Sequence, residues 1–107
     1  MRKSPLAAVL LLCMSAVLAQ SSEHVVSQKG KAFSTKSLKV KVGDSVSFRN
    51  DDPFFHNIFS LSKGNEFDLG SYPQGQSRKA LFSREGTFEV ECAIHPEMKM
   101  VVQVEKK

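Results

Sequence analysis

Three soft or borderline metal ligands, a thiol, an imidazole and a thioether, fall within seven residues, in the run Cys92-Ala93-Ile94-His95-Pro96-Glu97-Met98. A thiolate, an imidazole and a thioether together suit copper, because soft donors select soft or borderline metals. Two imidazoles and a thiolate in one plane, with a weak axial thioether, make an electron-transfer copper site. That geometry needs a second imidazole from elsewhere in the chain. His24 lies close to the start of the processed chain, where order is least expected. His56 follows a loop and opens a strand, so it is the expected partner. Met100 competes with Met98 for the axial place. Met98 is preferred, because Met100 opens the last strand, where a core role is natural. Taken singly, each residue has a plainer reading: a Cys-x-x-His occurs by chance, and a lone Met or His is an ordinary core residue. Together they point to one site, His56, Cys92, His95 and Met98, holding one copper ion.

The elements must place that set. Phe88, Val90 and Cys92 share one parity of a strand, and Glu89 and Glu91 share the other. Glutamates prefer water, so Cys92 points inward as the last core-facing residue of its strand. A loop must then fold His95 and Met98 back over that end of the core, and Pro96 stiffens it by fixing φ. Elsewhere Leu38, Val40 and Val42 alternate with Lys39 and Lys41, and Val46 and Phe48 with Ser47 and Arg49. The Gly43-Asp44 turn between them fits either a hairpin or a corner between two sheets. Further strands are expected near residues 25–28, 57–62, 77–82, 87–92 and 100–105. Residues 66–76 contain Gly70, Pro73 and Gly75 and look irregular; a loop or helical turn fits them as well as a strand does. About seven or eight short strands with frequent turns mean a sandwich or a barrel.

Residues 1–19 read as a signal peptide. Arg2 and Lys3 precede an apolar run ending at Ala19, and polar Gln20-Ser21-Ser22 follows. The run is shorter than the roughly 18–20 residues a spanning helix needs. Cys13 lacks the small preceding residues expected of a lipid-modified cysteine. Cleavage leaves one domain, residues 20–107, with Cys92 as its single cysteine, no membrane span, and a periplasmic or secreted location. A lone thiol in an oxidising compartment is a liability unless it is buried or ligated. The whole chain carries a net charge of +4. Without Arg2 and Lys3, thirteen basic residues face eleven acidic ones, +2, too mild for nucleic acid. Lys36, Lys39 and Lys41 read as a solvated strand face, with at most a bias toward an acidic partner. No general acid–base pair or activated nucleophile stands out, so a carrier is expected rather than an enzyme.

From Leu38 to Val104 the chain resembles the cupredoxins, the type 1 blue copper proteins, and above all their amicyanin and plastocyanin branch. The resemblance rests on Val42-Gly43-Asp44-Ser45-Val46-Ser47-Phe48-Arg49-Asn50, on His56-Asn57, and on Cys92-x-x-His95-Pro96-x-Met98. It implies a single all-β, Greek-key β-sandwich domain. It implies His56, Cys92 and His95 as equatorial copper ligands and Met98 as the axial one. Asn57 would tie the His56 loop to the segment near Cys92. Electrons would leave through the exposed edge of His95, inside a docking patch of Phe54, Ile94 and Pro96 for transient redox protein partners, with the carrier itself a monomer. The chain departs from many amicyanins at Ala93-Ile94, where they have Thr-Pro, and in the closely following Met100. A copper delivery, storage or sensing protein using the same ligands is the alternative, and Met100 slightly favours it.

Overall fold

Alternating apolar and polar residues build eight strands in the computed structural model, which describes residues 21–107. The strands are β1 (Glu23–Gln28), β2 (Ser37–Lys41), β3 (Ser45–Asn50), β4 (His56–Ser60), β5 (Phe67–Tyr72), β6 (Ser77–Leu81), β7 (Gly86–Glu91) and β8 (Lys99–Glu105). The signal peptide expected over residues 1–19 lies outside the described residues. Among those described, no helix is long and apolar enough to cross a membrane.

The strands form two sheets, one ordered β1-β3-β6 and the other β2-β8-β7-β4-β5. β1 runs parallel to β3 and β2 parallel to β8; the remaining pairs are antiparallel. Chain neighbours β2 and β3 lie in different sheets, so the turn between them is a corner and not a hairpin. Such crossings between sheets are the Greek-key sandwich arrangement. At the corner Gly43 takes a left-handed φ of 96°. The Asp44 carboxylate accepts from the backbone N–H groups of Lys41 and Ser22, each at 2.9 Å, and lies 3.0 Å from His24 Nε2. His24 is therefore an ordered strand residue tied to the corner, contrary to the disorder expected of it.

The inner faces meet in one core. Val26, Val46, Phe48 and Ala80 come from the smaller sheet, and Val40, Ile58, Tyr72, Phe88, Val90, Met100, Val102 and Val104 from the larger, joined by Phe82. Burying each large apolar side chain contributes about 1.5–3 kcal/mol. Phe88, Val90 and Cys92 do face inward while Glu89 is exposed, as their parity predicts. The irregular-looking stretch after Asn65 turns out to hold strand β5. It is an edge strand paired with β4 across a register shift between Asn57 and Phe59. Gly70, at a left-handed φ of 75°, donates its N–H to Asp68 Oδ1 at 2.9 Å. The break in period that hides this strand in the sequence is thus a local bend that the bulge absorbs.

Candidate metal centre

The end of β3, the start of β4, the end of β7 and the start of β8 all reach one rim of the sandwich. Phe59 of β4 pairs with Glu91 of β7, so His56 and Cys92 arrive at that rim on the inner face of adjacent strands. His56 is fully buried, Cys92 is buried and His95 is half-buried. Cys92 Sγ lies 3.7 Å from His56 Nδ1 and 3.8 Å from His95 Nδ1. The three ligand atoms all lie within 4.8 Å of one another. A first-row metal held by sulfur at about 2.3 Å and by imidazole nitrogen at about 2.0 Å, in one plane, sets those atoms roughly 3.7 Å apart. The spacing and the donor types therefore fit a single copper ion.

The loop after β7 is closed by its own backbone. Met98 N–H donates to the His95 carbonyl at 2.8 Å, and Cys92 N–H to the Met98 carbonyl at 3.4 Å. The loop thus returns Met98 to the base of Cys92, with Pro96 inside the turn. Met98 is buried but stands outside the main apolar cluster, whereas Met100 lies within it. Asn57 adds a cross-tie, its Oδ1 accepting from Ala93 N–H at 2.7 Å. That is the tie the resemblance implies between the His56 loop and the Cys92 segment.

Several contributors were not legible in the sequence. Asn50-Asp51-Asp52-Pro53 reads only as a loop. In the fold, the buried Asp52 carboxylate sits 2.7 Å from His56 Nε2. A carboxylate there calls for the proton on Nε2, which leaves the Nδ1 lone pair facing Cys92. Burial pushes the Asp52 carboxyl up, but bonds from His56, Gly30 and Lys31 outweigh it and hold the group below its ordinary range. Asn50, also buried, donates from Nδ2 to the carbonyls of Phe54 and Tyr72 at 2.8 and 3.0 Å. Tyr72 pairs with His56 across β4 and β5, and its hydroxyl donates to Gln28 Oε1 at 2.5 Å. Burial, with the nearby Cys92 adding to it, pushes the Tyr72 phenol far up, so it stays protonated. The one clue in the chain is the Asp-x-x-x-His spacing, too common to carry weight alone.

Outside the site lies apolar surface. Phe54 packs its ring 5.3 Å from that of His95 and 5.4 Å from that of His56. Phe54, Phe55 and Ile94 are 37%, 54% and 48% exposed, so His95 emerges among exposed hydrophobic side chains.

An all-β sandwich with a His–Cys–His cluster at one rim defines a cupredoxin. The sequence signature described as "copper binding proteins, plastocyanin/azurin family" matches residues 20–106. The chain therefore belongs to that family of copper-binding proteins. It is 34% identical over 71 residues to the methylamine utilization protein MauL of Methylorubrum extorquens, covering 65% of this chain and 62% of that protein. It is 32% identical over 76 residues to amicyanin-alpha of the same organism, covering 68% of this chain and 64% of the relative. The chain thus spans somewhat under two thirds of either relative's length. A solved structure of a copper(I) amicyanin variant superposes with a TM-score of 0.72 at 27% identity, over 85% of this chain and 89% of that one.

Proposed function

We propose that the protein is a single-electron carrier of the type 1 blue copper class. In this reading His56, Cys92 and His95 are the equatorial ligands and Met98 the axial one. The observation that carries it is the convergence of Cys92 Sγ with two imidazole Nδ1 atoms at 3.7 and 3.8 Å. Copper, when bound, supplies the one-electron redox couple. The protein's part is to hold the donors where they need not rearrange as the metal's charge changes. The hydrogen-bonded loop from Cys92 to Met98 and the Asn57 tie supply that rigidity. His95, half-buried beside Phe54 and Ile94, gives the site an edge toward a partner. Small apolar patches of this kind suit brief redox encounters.

The same reading makes the protein an exported monomer, periplasmic or secreted after cleavage near Ala19, that transforms no substrate. The relatives' names, amicyanin and a methylamine utilization protein, fit a carrier that serves an oxidoreductase. The placement of Met100 in the apolar core supports this over copper delivery, since it commits the one other methionine among the described residues to packing.

Titrating purified protein with Cu(II) tests the proposal. One equivalent is expected to give the intense visible band of a blue-copper site, a reversible one-electron wave, and no band in Cys92→Ser. A wild-type protein that stays colourless when fully metallated refutes it.

A further inference from the structure

His56 and His95 face the same sulfur, yet their other ring nitrogens meet different surroundings. His56 Nε2 meets the buried Asp52, and His95 lies toward solvent. Asp52 is itself held from several sides. Its Oδ1 accepts from Gly30 N–H at 2.8 Å and its Oδ2 from Lys31 N–H at 3.1 Å. Its own N–H donates to Asn50 Oδ1 at 2.8 Å. The two donors from the β1–β2 loop come from consecutive left-handed residues, Gly30 at φ 64° and Lys31 at φ 58°. Lys31 is the one non-glycine residue with positive φ among those described. The consecutive N–H groups of this turn thus converge on one carboxylate, as backbone N–H groups of turns do where they bind an anion. The unfavourable backbone at Lys31 is over-determined by the carboxylate it serves.

We propose that Asp52 is the positioning residue for His56 and that its buried negative charge biases the copper site toward the Cu(II) state. The inference rests on the carrier reading and deepens it. The electrostatics follow from counting charges. A Cys92 thiolate and Cu(II) leave one net positive charge in a buried site, and Asp52 balances it. Reduction to Cu(I) leaves the same pocket with one uncompensated negative charge. A buried carboxylate one imidazole away from the metal is shielded far less than a surface charge. Its removal therefore weakens Cu(II) binding relative to Cu(I) by on the order of tenfold or more. Asp52 also fixes the His56 ring, so that His56 stays a ligand in both redox states.

The test compares copper-loaded wild type, Asp52→Asn, Asp52→Ala and Glu85→Gln by voltammetry and visible absorption. Asp52→Asn keeps an oxygen for His56 but no charge. Its blue band is expected to survive while the potential rises by at least the 59 mV that tenfold represents for one electron. Asp52→Ala is expected to show the same rise with an altered band, because the ring loses its anchor. Glu85 is exposed in the turn before β7, at the end of that strand away from Cys92, and its charge is screened, so Glu85→Gln is expected to keep the wild-type potential. A blue, folded Asp52→Asn with the wild-type potential overturns the proposal and leaves the carrier reading intact. A colourless wild type sinks the carrier reading instead. A measurement without variants guards against misfolding. In Cu(I)-loaded wild type, the His56 Nε2–H is expected to exchange with water at least tenfold more slowly than that of His95, and equal rates overturn the anchor.

Discussion

Two methionines two positions apart do different work, because a strand alternates its faces and a loop does not. Met100 is in β8, with the parity of Val102 and Val104, and packs into the core. Met98 precedes that strand, and its backbone bonds to His95 and Cys92 bring it back to the ligand cluster. Leucine keeps the volume of methionine but donates no sulfur electrons, so paired substitutions separate the roles. Met98→Leu is expected to raise the reduction potential, since weakening the axial donor disfavours Cu(II). Met100→Leu is expected to leave potential and spectrum unchanged and to cost less than about 1.5 kcal/mol in urea unfolding. If instead Met100→Leu moves the potential and Met98→Leu does not, the axial assignment is reversed.

At the scale of elements, the corner between β2 and β3 has its own electrostatic clasp at Asp44. The His24 hydrogen bond, with help from the Ser22 and Lys41 N–H groups, lowers its carboxyl to about 2. A carboxyl whose pKa is lower folded than unfolded stabilises the fold fully above its unfolded value, near 4, and loses that contribution as pH falls toward 2. Wild type is therefore expected to exceed Asp44→Asn in thermal midpoint at pH 6, with the gap shrinking between pH 4 and 2. A gap that is constant with pH removes the clasp. Much of this framework was legible beforehand. The period-two runs at Leu38–Val42, Val46–Phe48 and Phe88–Cys92 each declare an inner face, and parity alone aimed Cys92 at the core. Strand β5 was hidden because Gly70 and a bulge break its period. Asp52 was hidden for a different reason: its donors lie some twenty residues away, at Gly30 and Lys31, and only the parallel pairing of β1 with β3 brings that loop beside it. A buried charge leaves no mark in hydropathy, since its justification is three-dimensional.

On the scale of the whole molecule, an apolar core carries buried polar groups toward its margins, with Asp44 at the β2–β3 corner and a cluster at the metal rim. Val26, Phe48, Phe82, Phe88 and Val102 fill the middle, while Asn50, Asp52 and His56 are buried together at one end. A domain this small buries only about 60–65% of its unfolded surface, so its margin is narrow and the rim weighs on it. Yet every member of that polar trio has a partner without any metal: His56 has Asp52, Asp52 has the Gly30–Lys31 loop, and Asn50 has two carbonyls. The protein is therefore expected to fold without copper, unlike small domains whose ligands have no other partners. Copper then adds stability by mass action, about 2.7 kcal/mol at a free concentration a hundred times its Kd. For a domain of this size that amounts to a rise in Tm of roughly 10 °C or more. Calorimetry of metal-free and copper-loaded protein checks both halves, with Cys92→Ser expected to stay folded and to lose most of the copper-dependent rise. A metal-free chain with no cooperative transition contradicts the self-sufficient rim. Equal midpoints with and without copper contradict selective binding by the native state.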